Sequence, residues 1–464
     1  NNNRLMKKII VCGAGIGGMV SAILLSAKGH EVRIYEKNDE PGGKMGEIRR
    51  DGYRFDTGPS LITMPFVFRE FFDEIKREMT DYFELTEIDS SCRYFWSDGT
   101  VFNSYTDKAK SEQELIKVFG DDTSDSYFRY LEYAKIFYNL SLEDFIGSDI
   151  NIRNYLSKEG IKNLFRLISG RSVNDLSNKF LEEKKLKQMM DRFATFSGST
   201  PFLAPQFFSV IPYIENEYGA WYVKGGIYKI AEGLRRLCGE FNVEIHYGCE
   251  LKDISQNNKK ITSLKFRSND GKTLETDKFD TVVSNFTNSL SIMDKDYFKN
   301  DDWANSAFII KAGMKKKFSE LSHHNIFFAD DYEKEYIDIF EKKIPSDDMT
   351  IYISISSKTD LNDAPSGCEN WFIMVNAPYL NPGTDWTEKY SRDYCNRIID
   401  KLNRFDIIFD GNIHDQIEFC DIFTPEDFKN KYNCENGSIY GLSSNTLYTI
   451  LKRPKNKSDK FDNL

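Results

Sequence analysis

The sequence has no uninterrupted apolar run of about 18 residues, the length that a membrane-spanning helix requires. It has no basic tail or arm, and its formal net charge of −10 argues against a nucleic-acid partner. Its eight cysteines form no C-x-x-C pair and follow no regular spacing. A chain of 464 residues can bury a large core without disulfide bonds, so we expect reduced thiols and a cytoplasmic location.

Catalytic and metal-binding patterns are also scarce. There is no G-x-S-x-G nucleophile motif, and the five histidines are scattered apart from the adjacent pair His323-His324. Adjacent side chains point in different directions, and no cysteine or third histidine lies at ligand spacing from this pair. We therefore predict no metal site, interpret His323-His324 as surface residues, and assign no catalytic residue.

What the sequence does contain is a dinucleotide-binding pattern at its start. An apolar strand over residues 9–12 runs into Gly13-Ala14-Gly15-Ile16-Gly17-Gly18, and a helical pattern follows that stops at Gly29. Such glycines allow a tight turn and the close approach of a pyrophosphate, while the helix N-terminus offers backbone N–H groups. The second predicted strand ends on Glu36, where a carboxylate can accept hydrogen bonds from ribose hydroxyls.

Further motifs follow Glu36 at short range. Pro41-Gly42-Gly43-Lys44 supplies a second glycine pair, and Phe55-Asp56-Thr57-Gly58-Pro59-Ser60 comes next. With them the chain resembles the bacterial-type phytoene desaturase family of carotenoid desaturases, over nearly its whole length. The stretches that carry this resemblance are KNDEPGGKMGEIRRDGYRFDTGPSLIT, FSGSTPFLAP, YGAWYVKGGIYKIAEGL, APSGCENWFIMVNAPYL and FTPEDF.

The resemblance implies non-covalent FAD and a set of site residues. Besides the first glycine turn and Glu36, the implied cofactor-binding residues are Lys37, Gly43, Lys44, Thr57, Gly58, Pro59, Ser60, Leu251 and Asn285. The implied substrate-binding residues are Phe196, Trp221 and Tyr222. Two positions stay open: Leu251 is either an adenine contact or plain core, and Asp56 is either a structural cap of the Thr57-Gly58 turn or a proton acceptor.

The resemblance also implies the architecture, an α/β fold. We expect a two-dinucleotide-binding, Rossmann-like FAD domain with an antiparallel substrate-binding sheet and a helical cap. The expected segments are FAD domain (6–110), helical cap or membrane-facing region (111–215), FAD domain again (216–290), substrate-binding domain (291–425) and a return towards the FAD domain (426–464). In the family a strand and glycine-rich turn follow the position of Leu464, so we expect this sequence to be a fragment.

The function that follows from the resemblance is FAD-dependent desaturation of phytoene or a related carotene intermediate by hydride transfer to flavin. The implied partners are an apolar carotenoid, a membrane surface bound peripherally, and quinone or oxygen as electron acceptor. The apolar stretch 200–222 is either the docking surface or the lining of a substrate tunnel. Three alternatives remain: a carotene cis–trans isomerase, a non-enzymatic carrier of prenylated proteins with the same fold, and an amine oxidase.

Overall fold

The fold is taken from a computed structural model that describes residues 6–141, 170–286, 302–405, 408–409, 411–446 and 456–464. The strands in these parts are β1 (Lys8–Cys12), β2 (Glu31–Tyr35), β3 (Glu47–Arg50), β4 (Tyr53–Asp56), β5 (Leu85–Ile88), β6 (Ser90–Phe95), β7 (Val101–Tyr105), β8 (Ala220–Val223), β9 (Glu244–His246), β10 (Cys249–Asn257), β11 (Lys260–Ser268), β12 (Thr273–Thr276), β13 (Thr281–Ser284), β14 (Ser306–Met314), β15 (His324–Phe327), β16 (Ile351–Ser354), β17 (Glu369–Ala377) and β18 (Ile417–Phe423). The α-helices are α1 (Ile16–Ala27), α2 (Pro65–Glu74), α3 (Lys108–Phe119), α4 (Asp121–Ser141), α5 (Val173–Phe180), α6 (Lys184–Asp191), α7 (Val210–Tyr218), α8 (Tyr228–Glu240), α9 (Tyr332–Tyr336), α10 (Glu388–Leu402), α11 (Ile413–Gln416) and α12 (Pro425–Tyr432).

A four-stranded parallel sheet forms the dinucleotide-binding half, in the order β13-β1-β2-β9. Helix α1 follows β1 directly and packs with α8 on an apolar cluster that includes Val11, Met19, Ile34 and Leu234. β1 is buried on both faces, with Ile9 and Val11 in this cluster and Ile10 and Cys12 in a second one, which is why it is a continuous apolar run. The predicted Rossmann-like start of the chain is confirmed, with its strand, turn and helix in the expected places.

A seven-stranded sheet forms the other half, in the order β18-β14-β17-β16-β15-β6-β7. Only the β15–β6 pair is parallel; every other pair in this sheet is antiparallel. One face packs on α10 through a large core that includes Phe308, Trp371 and Tyr394. Strands β6 and β7 fall in the segment 6–110 that the sequence assigns to the FAD domain. In the structure they belong to the seven-stranded sheet, because β6 pairs with β15 and β7 pairs with β6.

A group of helices covers one end of the seven-stranded sheet. Helices α4, α5 and α6 pack on β6 and β7 through a cluster that contains Tyr94, Trp96, Tyr130 and Met190. This group lies in the predicted helical cap, of which residues 142–169 lie outside the described part of the chain. Among the described helices, none is both long enough and apolar enough to cross a bilayer.

The last described residues return to the dinucleotide-binding half. The Asn463 side chain exchanges hydrogen bonds with the Ile261 backbone at 2.9 and 3.0 Å, and the Asn463 carbonyl accepts from Val282 N–H at 2.8 Å. Phe461 is buried beside Leu251 and Phe266. Residues 456–464 therefore lie against β11 and β13.

Candidate functional site

A cavity of about 250 Å³ opens at the carboxyl ends of the parallel strands β1 and β2. This is the position where open α/β sheets bind dinucleotides. Nine of the predicted cofactor residues line it: Gly13, Gly15, Ile16, Glu36, Lys37, Gly43, Lys44, Leu251 and Asn285. Gly17, Gly18, Thr57, Gly58, Pro59 and Ser60 are not among the lining residues.

Glu36 holds the glycine turn against the end of β2. One oxygen of its buried carboxylate accepts a hydrogen bond from Ala14 N–H at 2.6 Å, and the other accepts from Asn38 N–H at 2.8 Å. The Glu36 backbone bonds to His246 and Cys249, which joins the turn to β9 and β10. Each carboxylate oxygen has two acceptor sites, so both retain capacity for ribose hydroxyls.

The glycines of the first turn are required by close backbone and side-chain approach. A Cβ on Gly18 would lie 2.0 Å from the Gly13 carbonyl oxygen, and a Cβ on Gly17 would lie 2.6 Å from Asn285 Nδ2. Gly17 and Gly18 therefore allow the turn to pack closely outside the cavity lining, while Gly13 and Gly15 line the cavity. Gly15 bridges to Gly42, whose N–H donates to the Ala14 carbonyl at 2.8 Å. The second glycine pair thus forms the opposite wall of the same cradle.

The two predicted lysines of the site donate to the C-terminal part of the chain. Lys37 Nζ donates to the Asn430 carbonyl and to Asn433 Oδ1, both at 2.7 Å. Lys44 Nζ donates to the Ile439 carbonyl at 2.5 Å. Both ammonium groups therefore hold the segment around α12 over the cavity, and the two lysine side chains also line that cavity.

The predicted flavin-side turn, Thr57 to Ser60, joins the cradle to the seven-stranded sheet. A Cβ on Gly58 would lie 2.2 Å from the Lys44 carbonyl oxygen, so the turn packs directly on the second glycine pair. Ser60 Oγ hydrogen-bonds to the Tyr352 hydroxyl at 2.5 Å, and that hydroxyl contacts His324 Nδ1 at 2.8 Å. This turn thus lies between the dinucleotide cavity and the face of β16 that bears Tyr352.

Asp56 belongs to a buried ion-pair network beneath this turn. Arg54 donates to Asp56 at 2.7 Å and to both oxygens of Asp363 at 2.5 and 2.9 Å. Asp56 also accepts from Ile227 N–H at 3.1 Å, one residue before α8 begins. Burial raises the pKa of Asp56, while the Arg54 charge lowers it. The Asp56 carboxylate therefore holds Arg54 and the start of α8 in place, and its role towards the Thr57-Gly58 turn or as a proton acceptor stays a prediction.

Two of the three predicted substrate residues, Trp221 and Tyr222, are neighbours in β8, and the third, Phe196, lies in the cap. Tyr222 is buried, and its hydroxyl donates to Asp363 Oδ2 at 2.9 Å, within the Arg54 network. Trp221, its neighbour in β8, donates from Nε1 to the Tyr218 carbonyl at 2.7 Å. Phe196 is 39% exposed and packs on Phe193 in the cap. Their role in substrate binding stays a prediction.

The surface interpretation of His323-His324 is wrong, because both side chains are buried. β15 begins at His324 and lies inside the seven-stranded sheet, which has apolar clusters on both of its faces. Side chains that point to opposite faces are therefore both covered. Burial lowers the pKa of His323 to about 4 and lowers that of His324 as well, so both rings are neutral at pH 7. The described residues contain no cluster of three or more metal-ligating side chains.

Sequence reasoning missed one wall of the cavity, which Lys431, Tyr432 and Asn433 form at the end of α12. Asn433 adopts a left-handed conformation (φ 53°) that ends the helix, and its amide lies 3.4 Å from Glu250 Oε1. The FTPEDF motif contains a sequence signal for the position of this wall. Thr424 and Asp427 form a capping box that starts α12, which fixes where its last turn lies.

The chain matches the family model described as flavin containing amine oxidoreductase over residues 16–307. It belongs to that family. The match begins at Ile16, inside the glycine turn, and includes Glu36 and the second glycine pair. Together with Gly13 and Gly15 these residues form a cradle that fits a dinucleotide. The chain is therefore an FAD flavoprotein and an oxidoreductase, as the resemblance implied.

Curated relatives extend over the whole chain. It is 32% identical to a 1-hydroxycarotenoid 3,4-desaturase of Flavobacterium sp., over 99% of this chain and 93% of the relative. It is 30% identical to a 4,4'-diaponeurosporene oxygenase of Staphylococcus haemolyticus, over 99% of this chain and 91% of the relative. The resemblance to carotenoid desaturases is confirmed at the level of the family.

Solved structures show the same fold. An oxidoreductase from Methanosarcina mazei superimposes with a TM-score of 0.58, covering 98% of this chain and 93% of that one at 15% identity. The predicted α/β fold class, with its FAD domain and second sheet, is confirmed.

Proposed function

We propose that this flavoprotein is a carotenoid desaturase, which removes two hydrogens from a carbon–carbon single bond of an acyclic carotenoid. The observation that carries the proposal is the similarity to a carotenoid desaturase over 99% of the chain, combined with the dinucleotide cavity at the expected strand ends. The substrate is phytoene or a related carotene intermediate, and a hydroxylated carotenoid is included because the desaturase relative is named for one.

The face of the seven-stranded sheet that bears Tyr352 is apolar, which favours an apolar substrate. Partly buried side chains of Tyr352, Met374, Phe423 and Ile439 surround a buried apolar cluster on this face. The face is tied to the cofactor cradle, since Ser60 bonds to Tyr352 and Lys44 bonds to the Ile439 carbonyl. A polyene held against this face would lie beside the flavin-side turn, in surroundings that exclude water.

The cofactor residues have separable roles in the proposal. Glu36 holds the ribose, the Gly13 to Gly18 turn and the start of α1 receive the pyrophosphate, and Thr57 to Ser60 support the flavin from the sheet side. When bound there, FAD supplies a two-electron acceptor for hydride. The protein then supplies orientation and a dry site, and quinone or oxygen reoxidises the cofactor.

An apolar substrate of this size partitions into the bilayer, so the proposal includes peripheral docking to a membrane. The stretch 200–222 is mostly buried, with Leu203 as its most exposed large apolar side chain, at 59%. The exposed apolar side chains of Phe196 and Leu203 in the cap are therefore the proposed docking residues. The rest of the stretch fits the alternative role, as a lining of the substrate path.

The test is product analysis by chromatography in a host that accumulates phytoene, and in one that accumulates a hydroxylated acyclic carotenoid. The proposal expects a product with additional conjugated double bonds in at least one host. A product that differs from the substrate only in double-bond geometry would identify an isomerase instead. Unchanged carotenoids in both hosts, with FAD bound to the protein, would contradict the proposal.

A further inference from the structure

Two hydrogen-bonding side chains lie together on the face of the seven-stranded sheet that bears Tyr352. His324 begins β15, and Ile326, two residues further on, pairs with Tyr352 of β16. Side chains two residues apart share one face of a strand, so His324 and Tyr352 are on the same face. Tyr352 packs against two apolar clusters, and His324 is 1% exposed. A polar ring is therefore buried beside the apolar clusters of this face.

One nitrogen of the His324 ring has a partner and the other has none. Nδ1 shares a hydrogen bond with the Tyr352 hydroxyl at 2.8 Å, and the same hydroxyl bonds to Ser60 Oγ at 2.5 Å. Nε2 is buried and has no hydrogen-bond partner among the described residues. Because Tyr352 holds Nδ1, the ring keeps Nε2 inside the protein. A buried polar atom without a partner costs free energy, which a ligand that pairs with it can recover.

His324 lies where three parts of the molecule meet. Ser60 brings the flavin-side turn to it through Tyr352. On the other side of β15, Ile326 pairs with Tyr94 of β6, and the Tyr94 hydroxyl accepts from Arg192 Nη2 at 2.6 Å. Arg192 follows α6 in the cap. A substrate that lies on this face, under the cap and beside the flavin-side turn, therefore passes His324.

The chemistry of Nε2 matches a hydroxyl group. Burial lowers the pKa of His324, so the ring is neutral at pH 7 and has one N–H and one bare nitrogen. Which of them is Nε2 depends on whether the Tyr352 hydroxyl donates to Nδ1 or accepts from it. A hydroxyl both donates and accepts, so it can pair with Nε2 in either case. A hydrocarbon can pair with it in neither.

We propose that His324 is a specificity-determining residue, whose Nε2 binds a hydroxyl group of the carotenoid substrate. The inference deepens the proposed desaturase function and rests on it. The desaturase relative is named for a hydroxyl at position 1 and a new double bond at 3,4, only two carbons away. A residue that binds such a hydroxyl must lie close to the flavin-side turn, and a single residue, Tyr352, links His324 to that turn. A hydrocarbon leaves Nε2 unpaired, so the site selects against it.

The test is a competition between phytoene and 1-hydroxyphytoene, which differ at one chain end. The FAD-loaded protein is immobilised and its flavin is reduced without oxygen, so that no hydride acceptor is present. It is equilibrated with both carotenoids in detergent micelles, and the bound carotenoids are extracted and measured by chromatography. Micelle partitioning is the same for every variant, so the ratio of bound carotenoids compares variants directly. We expect the ratio of 1-hydroxyphytoene to phytoene to be roughly 5- to 150-fold higher in the unsubstituted protein than in His324→Asn.

The variants separate the two ring nitrogens. Asparagine places its amide near the position of Nδ1, within reach of Tyr352, and has no atom at the position of Nε2. Glutamine reaches the Nε2 position, so His324→Gln should retain part of the preference. His323→Asn is the matched control and should leave the ratio unchanged. His323 is also buried with an unpaired Nε2, but its Nδ1 bonds to Thr359 Oγ1 at 2.6 Å and its ring lies beside Tyr222.

The same ratio in the unsubstituted protein and His324→Asn would overturn the inference, because Nε2 would then pair with water rather than with substrate. An equal fall of the ratio in His323→Asn would also overturn it, since both changes would then act through packing. If His324→Asn does not unfold cooperatively, Tyr352→Phe takes its place: it keeps the imidazole, removes the hydroxyl that fixes Nδ1, and should lower the ratio too. Binding of neither carotenoid would contradict the proposed desaturase function itself, whereas binding of both without preference contradicts only the role of His324.

Discussion

Replacing the Glu36 carboxylate with an amide tests the cofactor cradle at the residue on which it depends most. Glu36→Gln keeps the size of the side chain and removes its charge. The carboxylate accepts Ala14 N–H at 2.6 Å and Asn38 N–H at 2.8 Å, whereas a glutamine can present only one oxygen. Its NH₂ group must then face the second N–H, which leaves one buried donor without an acceptor.

The magnitude follows from these contacts. One buried unsatisfied donor costs about 1–3 kcal/mol, and this cost is present with or without cofactor, so it lowers the free energy of unfolding. The ribose hydroxyls lose a charged acceptor in addition, since hydrogen bonds to ionised groups are roughly twice as strong as neutral ones. A further loss of about 1–3 kcal/mol in binding corresponds to a Kd for FAD roughly 5- to 150-fold weaker.

The assay is a titration of the flavin-free apoprotein with FAD, in which binding is monitored by flavin fluorescence. Urea unfolding of each variant is measured in parallel. Glu40→Gln is the matched control, because it makes the same change on the same loop at an exposed side chain. We expect the control to bind FAD like the unsubstituted protein. An unchanged Kd for Glu36→Gln, in a protein that unfolds cooperatively, would refute the assignment of this cavity to the cofactor.

Three further changes test other parts of the structure. Gly18→Ala should abolish FAD binding and lower the melting temperature, because the new Cβ would lie 2.0 Å from a backbone oxygen, whereas Gly239→Ala on α8, with no neighbour within 4 Å, should leave both intact. Lys311→Met should be more stable to urea than the unsubstituted protein at pH 7, by up to about 3 kcal/mol, because burial lowers the pKa of Lys311 to about 8. Below pH 8 Lys311 is charged in both the folded and the unfolded protein, so folding bears the full cost of burying the charge. Between pH 8 and the ordinary pKa of 10.5 the folded protein has already lost this proton, so the cost falls and the advantage of the variant should shrink. Asp363→Asn should destabilise the protein by about 3–5 kcal/mol in urea unfolding, because it leaves Arg54 with an incomplete set of buried acceptors.

The cofactor half of the site could be predicted from sequence because its parts are consecutive. The strand, the turn from Gly13 to Gly18, the helix and Glu36 lie within one βαβ unit, so their spacing alone brings them to one strand end. The wall formed by Tyr432 and Asn433 could not be found in this way. It depends on how α12 docks over the cavity, through Lys37 and Asn430, and no local periodicity encodes that packing.

The second sheet shows the same limit. Its antiparallel strands β16 and β17 follow from their apolar patterns, but the pairing of β15 with β6 joins segments more than 200 residues apart in sequence. That parallel pairing, and the helices on both faces, bury His323 and His324. A pair of adjacent histidines is expected on the surface only where one face of the strand is open to water.

The most direct test of the central claim is an anaerobic single turnover of the FAD-loaded protein with one equivalent of carotenoid in detergent micelles. Flavin absorbance and the carotenoid product are measured in the same sample, with phytoene in one series and a hydroxylated acyclic carotenoid in the other. We predict that flavin bleaches in step with the appearance of a longer conjugated polyene, one double bond for each flavin reduced. Flavin that stays oxidised with both carotenoids, in a protein shown to be saturated with FAD, would contradict the claim.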